Sequence, residues 1–409
     1  MKNVILILGV LFLTTFGFSQ TQNFWTKKAD FSGLKRERSV AFSINGKGYV
    51  GTGVDTTSAV KKDFWEYDPI VNAWTQKADL IGVERRNAIA FSINGKGYVG
   101  TGMDNAEASL GSALSDFMEF DPISNTWSNK ANFPGSFGSG IYFATGFSAD
   151  SKGYICCGKR GPNNYSDEFW EYKPTTDSWL QRQSFPGGVR YQLSSFVINN
   201  LAYIGLGIDQ DVYRKDLWEY NPATNNWIAK NDFLGGERGA ASTFNLGSRG
   251  FISAGTDGGF KNDLWEYNPF EDSWSIRANF GGSERKNAVS FTINEKAYMG
   301  TGKGVSGKKM SFYEYTPYDN VLAIQSIESK FNINVFPNPV SDYLTINTTD
   351  YSEFSVSIYT LTGKLVVNQK ANSNTLLINC IELKSGVYIL CLNSNTNQLI
   401  YSKQLRIQK

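Results

Sequence analysis

The residues with the clearest chemistry in this chain are arginines at a fixed spacing. Arg36, Arg85, Arg190, Arg238 and Arg285 each stand eleven residues after a recurring tryptophan: Trp25, Trp74, Trp179, Trp227 and Trp274. A guanidinium presents a planar fork of donors that grips a carboxylate bidentately. Brought together around one opening, these five side chains would form a ligand-binding ring for carboxylates or other anions. A glutamate recurs as well, at Glu66, Glu119, Glu171, Glu219, Glu266 and Glu314. Five clustered cations repel one another unless neutralised, so these glutamates offer a competing reading in which the arginines are spent in internal ion pairs. After Trp127 the arginine position holds Gly138, and the stretch from Phe133 to Lys152 has atypical length, so the third repeat is expected to leave a gap in the ring.

Other chemistry is excluded by composition. The chain has no histidine, which removes the usual general base near neutral pH and the commonest imidazole metal ligand. Ser-His-Asp catalysis and histidine-bound zinc or copper are therefore ruled out. No catalytic residue, metal site or cofactor is expected. The acidic pairs Asp209 with Asp211 and Asp104 with Glu107 fit solvated loops better than calcium sites. Cys156 and Cys157 stand where other repeats carry small residues and read as packing substitutes. Cys380 and Cys391 flank Ser385–Gly386 at equal distance. A hairpin there would oppose them, leaving a disulfide and two free strand thiols both open.

The elements that must position these residues are repeats. DFWEYDP at Asp63–Pro69 returns at Asp116–Pro122, Glu168–Pro174, Asp216–Pro222, Asp263–Pro269 and Ser311–Pro317. A tryptophan follows five residues after each of the first five prolines, at Trp74, Trp127, Trp179, Trp227 and Trp274. The sixth has Leu322 there, and the missing tryptophan is Trp25 near the other end of the chain. A glycine block such as Gly48–Gly53 or Gly97–Gly102 completes each unit, with Asn45–Gly46 and Asn94–Gly95 as hairpin turns. A period near 50 with several short alternating strands is the pattern of a propeller blade.

These motifs resemble the kelch family over roughly residues 24–320, although its glycine doublet is opened to Gly-x-Gly or replaced. The resemblance implies an all-β, six-bladed kelch-type propeller over residues 23–320, and the spare strand around Trp25 is expected to complete the last blade. All ten tryptophans belong to the repeat and read as inter-blade packing rather than a sugar platform. The resemblance also places the arginines near one mouth of the central channel.

After Asn320 the repeat stops. Residues 321–331 read as a linker. Residues 332–409 carry VFPNPVSDYLTI at Val335–Ile346, VSIYTLTGKLV at Val356–Val366 and KSGVYILCL at Lys384–Leu392, with Thr362–Gly363 as a further hairpin turn. Under 80 residues with about seven short strands suggest a small Ig-like β-sandwich. Pro337–Asn338–Pro339, Gly363–Lys364 and Gly386–Val387–Tyr388 resemble the C-terminal sorting domain of proteins exported by the type IX secretion system. The resemblance implies that secretion machinery as a partner and the outer surface of a Gram-negative bacterium as the destination. Residues 1–19, basic and then apolar, read as a signal peptide, leaving no transmembrane segment in the mature chain. A formal charge of +2 lacks the bias of a nucleic-acid binder.

The function expected is a non-catalytic binding or adhesion module for an extracellular glycan or protein, with specificity in variable loops such as Met103–Ser115, Lys159–Asp167, Ile208–Lys215 and Lys303–Met310. The alternative is a sugar-modifying enzyme of the kelch group, such as a sialic-acid mutarotase-like epimerase.

Overall fold

A computed structural model describes residues 23–104, 112–136, 139–317, 332–350, 352–360, 365–394 and 399–409. The expected signal peptide and linker, Gly138, Glu107 and the Thr362–Gly363 turn lie outside them. The chain divides into two compact units, Gln22–Pro317 and the C-terminal part from Tyr318. Among the described residues the structure is all-β, and no helix is long and apolar enough to cross a membrane.

The first unit contains six four-stranded antiparallel sheets. The first is Val40–Ile44, Lys47–Gly51, Phe64–Asp68 and Ala73–Lys77 in spatial order. The second to fifth repeat this plan in chain order. In the sixth, Val289–Ile293, Lys296–Gly300 and Phe312–Thr316 are joined by Phe24–Lys28, which pairs antiparallel with Phe312–Thr316. Trp25 thus stands opposite Tyr315, where Trp74 stands opposite Tyr67 in the first sheet.

The alternation of the strands explains this arrangement. In Val40–Ile44 the first, third and fifth side chains, Val40, Phe42 and Ile44, are buried against the second sheet, while Ala41 packs against the sixth. Asn45 and Gly46 have φ of 49° and 76°, as a tight hairpin with both central residues left-handed requires. Phe42 of the first sheet lies on Gly97 of the second, and a Cβ there would sit 2.4 Å from its ring; Phe291 of the sixth lies on Gly48 of the first in the same way. Each spacer tryptophan reaches a carbonyl outside its own sheet: Trp74 Nε1 donates to Ala29 O, Trp127 to Ala78 O, and Trp25 to Ala278 O. The tryptophans are thus inter-sheet packing, edge-on to rings such as Phe31 and Phe312.

The six first strands adjoin one another in chain order, and the sixth adjoins the first. They enclose a cavity of about 360 Å³. At one end, six residues with positive φ, one before each first strand, are Arg38, Asn87, Phe143, Gln192, Ala240 and Asn287. Their backbones form a cycle of hydrogen bonds. Asn87 N donates to Arg38 O, Phe143 N to Asn87 O, and so on through Gln192, Ala240 and Asn287 until Arg38 N donates to Asn287 O, at 2.9–3.2 Å.

The second unit holds seven strands in two sheets. One orders Ile333–Phe336, Tyr343–Thr348 and Thr375–Asn379; the other orders Leu365–Ala371, Phe354–Thr360, Gly386–Ser394 and Leu399–Ile407. Both contribute to one core that includes Leu344, Ile346, Val356, Ile358, Leu390 and Leu392. The hairpin expected at Ser385–Gly386 does not form. Thr375–Asn379 pairs with Tyr343–Thr348, whereas Cys391 pairs with Ser357 in the other sheet. Cys380 and Cys391 are both free thiols, because their flanking strands belong to different sheets.

Candidate ligand site at the channel mouth

Each recurrent arginine lies just before a first strand, two residues from the hydrogen-bonded ring. Arg36, Arg85, Arg190, Arg238 and Arg285 are only 0–4 % exposed. They therefore form no open ring of guanidiniums. Their partners are also not the recurrent glutamates. Arg36 donates from Nη1 and Nη2 to Asp63 Oδ1 and Oδ2 at 2.6 and 2.7 Å, and from Nη1 to Thr52 O at 3.0 Å. Asp63 also accepts from Trp65 Nε1 at 2.8 Å. The same clamp joins Arg85 to Asp116, Arg190 to Asp216 and Arg238 to Asp263. Phe31, Phe185, Phe233 and Phe280 lie beneath the guanidiniums of Arg36, Arg190, Arg238 and Arg285 at 4.7–5.4 Å. The carboxylate in these four clamps is thus the first residue of the DFWEYDP motif.

The glutamates are spent three residues further along the same segment. Glu66 accepts from Tyr49 Oη at 2.6 Å and pairs with Lys77; Glu314 accepts from Tyr298 Oη and pairs with Lys28, on the N-terminal strand. Burial, followed by the Glu66 carboxylate, pushes the Tyr49 hydroxyl well above the usual tyrosine range.

Two sheets depart from the clamp. In the third, backbone pairing of Tyr142 with Lys159 makes Ile141 the counterpart of the arginines. The carboxylate there is Glu168, and its guanidinium comes from Arg160 in the long hairpin Lys152–Gly161 and Asn164–Lys173, at 2.5 Å. The gap at Gly138 is thus filled from elsewhere in the chain. Glutamate in place of aspartate, with an extra arginine opposite, was the sequence signal for this exchange. In the sixth sheet Ser311 replaces the aspartate. Arg285 then bonds only to neutral groups: Ser283 O, Thr301 O, Ser311 O and Ser311 Oγ. Burial holds its pKa down to about 10.

The channel itself is lined by Ser, Thr, Ala, Val and similar neutral residues from the six first strands, without an acid, base or phenol. Its mouth is different. A recess of about 170 Å³ is lined by Arg38, Asn87, Phe143, Gln192, Ala240 and Asn287 with their small neighbours. Arg38 lies over the Phe143 ring at 5.5 Å. Burial, with Arg38 and Lys303 nearby, holds Lys286 below the ordinary lysine range against the attraction of Glu37. On the opposite rim the Phe143, Tyr191 and Tyr165 rings follow one another at 5.9 and 5.6 Å, and Lys159 Nζ lies over Tyr165 and Tyr191 at 4.7 and 4.6 Å.

Asp209 pairs with Arg214 at 2.6 Å, Asp211 accepts from Tyr191 Oη, and no cluster of three metal-ligating side chains occurs among the described residues. Cys156 and Cys157 are fully buried with their sulfurs 3.5 Å apart, Cys157 taking the left-handed position that Thr52 and Thr101 occupy elsewhere.

A propeller-like scaffold with a separate β-rich C-terminal unit defines the class, and comparison with known proteins gives it detail. Residues 334–408 match the secretion system C-terminal sorting domain, so the chain carries a type IX sorting domain that marks it for export to the surface or medium of Bacteroidetes-type bacteria. The structure is similar to that of YjhT, with a TM-score of 0.59 and 13 % identity, over 70 % of this chain and 96 % of YjhT; this likeness shows a β-propeller fold. Two curated proteins are similar over short stretches. Ulvan lyase NLR42 of Nonlabens ulvanivorans is 36 % identical over 73 residues, 18 % of this chain and 14 % of its own. An endo-acting ulvan lyase of Formosa agariphila is 30 % identical over 89 residues, 20 % of this chain and 17 % of its own. The chain thus spans under a fifth of the length of either relative.

Proposed function

We propose that the chain is an exported, non-catalytic binding module: a six-bladed kelch propeller that engages an extracellular glycan or protein at its channel mouth. The N-terminal strand in the sixth sheet and the cyclic hydrogen bonds around the mouth support the six-bladed, closed reading. Seven strands in two sheets over one core support an Ig-like sandwich for the sorting domain. Arg36, Arg85, Arg190, Arg238 and Arg285 serve in this reading as clamps that fix the mouth segment, and the ligand meets the residues beyond them. The observation that carries the non-catalytic reading is the channel lining, which offers no group able to transfer a proton near neutral pH.

The second reading is a sugar-active enzyme, including the mutarotase-like epimerase. The two relatives named as lyases favour it, although matches of 73 and 89 residues are too short to cover Gln22–Pro317. Glycan-array binding and NMR anomer exchange on the mature protein separate the two. We expect saturable binding without turnover, weakened by Phe143→Ala in folded protein. Turnover of any bound sugar would sink the non-catalytic reading.

A further inference from the structure

The charges at the mouth are unevenly distributed. Around the buried Glu37 stand Arg38, Lys286, Lys303 and Lys308, each near enough to shift a neighbour's titration. Glu37 is held at its Oε2 by Asn287 Nδ2 at 3.0 Å and by Arg38 at 3.6 Å. The next carboxylate, Asp55, is already paired with Lys61 at 2.8 Å, and Lys308 reaches only its backbone oxygen. Arg38 lines the 170 Å³ recess, and Lys286, next in the chain to Asn287, pairs through its backbone with Lys303, so the cations at its edge outnumber the carboxylates there. In the clamps of Arg36 and Arg85, by contrast, one buried cation meets one carboxylate. An excess positive field beside a concave opening concentrates anions there.

The opposite rim has another character. Phe143, Tyr191 and Tyr165 form a short series of half-buried rings, with Arg38 over the first and Lys159 over the other two, leaving edges and remaining faces toward the opening. Flat apolar faces flanked by polar groups suit pyranose rings, whose C–H faces stack on aromatics while their hydroxyls bond at the edge. Gln192 and Asn287, both in the hydrogen-bonded ring, supply neutral amides between the two rims. Sequence reasoning placed the anion site on the buried arginines; the unbalanced charge lies two residues along, and in loops from the sixth sheet.

We propose that the mouth recognises an anionic polysaccharide, with its carboxylate or sulfate groups on Arg38, Lys286 and Lys303 and its sugar rings toward Phe143 and Tyr191. This rests on the binding-module reading and narrows its ligand class. An acidic polypeptide would satisfy the cations and leave the aromatic rim unused.

The test uses the mature protein and four probes: polygalacturonate, dextran sulfate, neutral dextran and poly-glutamate, measured by titration calorimetry at two salt concentrations. The expected result is binding of one or both acidic polysaccharides at least tenfold tighter than of dextran and of poly-glutamate, weakening with salt. Lys286→Gln with Lys303→Gln should cost roughly tenfold per cation removed, and Tyr191→Ala should weaken polysaccharide binding while leaving any poly-glutamate binding unchanged. Circular dichroism checks that the double variant keeps the fold. Equal affinity for dextran, stronger poly-glutamate binding, an unaffected double variant, or no acidic binding at all would each overturn this inference. A neutral glycan or a protein captured at the mouth and lost in Phe143→Ala would leave the binding-module reading standing while this one fell.

Discussion

Arg36 and Arg38 are separated by a single residue and meet opposite environments. Arg36 is enclosed: its three nitrogens reach Leu34 O, Thr52 O and both oxygens of Asp63, with Phe31 beneath. Arg38 is a quarter exposed, lies over Phe143, and has only a 3.6 Å approach to Glu37, a carboxylate it shares with Lys286 and Lys308. The cause is local backbone geometry. Glu37 pairs with Val54 in a short two-stranded ladder, and the left-handed turn at Arg38, φ 61°, swings the chain into the ring of carbonyls at the mouth. A residue on the ladder side is buried between sheets, and one at the turn faces the opening. Charge in the first place is structural and saturated; charge in the second is available.

The sharpest way to break this comparison is to leave a clamp arginine without its carboxylate. Asp63→Ala strands the buried guanidinium of Arg36 and the indole N–H of Trp65 together. Removing one partner of a buried pair costs about 3–5 kcal/mol, and the 21 % exposure of Asp63 puts the expectation at the lower end, about 3 kcal/mol. Denaturant unfolding of the propeller would read this directly. A loss under about 0.5 kcal/mol would mean that Arg36 is no more committed than a surface cation.

How far the sequence foretold these roles depends on the length of the contact involved. The period, the spare strand at Trp25 and the Asn–Gly hairpins were legible because each is written in a few neighbouring residues. The arginines were legible as a set, yet their partners were misassigned. Glu66 and Asp63 lie three residues apart in one strand and its approach, and only the structure tells which of them meets the loop carrying Arg36. Arg160 was missed, although glutamate at 168 in place of aspartate was a signal, because the hairpin that delivers it has no counterpart in the other repeats. The hairpin expected between Cys380 and Cys391 failed for the converse reason: a symmetric turn signal carries no information on which sheet each strand joins.

A smaller effect tests the comparison from the other side. In the sixth sheet Ser311 stands where four of its counterparts are aspartate, and Arg285 is buried with no carboxylate bonded to it among the described residues. Ser311→Asp would restore the clamp, with a tyrosine at 313 in place of the tryptophan found beside Asp63. We expect a gain of about 1 kcal/mol, visible as a higher denaturation midpoint, since the guanidinium is already desolvated and only the carboxylate must still be buried. A fall in midpoint would show that the space around Arg285 has been refilled, so that serine is the packed solution and the sixth clamp cannot be rebuilt by one substitution.

The smallest expected effect is in acid. Burial alone would raise the Asp63 pKa, but the bonds from Arg36 and then Trp65 more than offset it and hold the carboxyl below its ordinary value of 3.8. A depressed folded-state pKa contributes stability that is fully present above the unfolded value and is lost as pH falls through the folded one. The propeller should therefore hold its midpoint down to about pH 4 and lose it progressively below. In Asp63→Asn, which accepts and donates in the same place without titrating, the fall between pH 4 and pH 2.5 should be shallower than in the wild type, although other carboxylates such as Glu168 and Glu314 still contribute to it. Parallel curves for the two proteins would mean that the Asp63 carboxylate gains nothing from Arg36 on folding, and the distinction between a saturated clamp and an open mouth would lose its electrostatic basis.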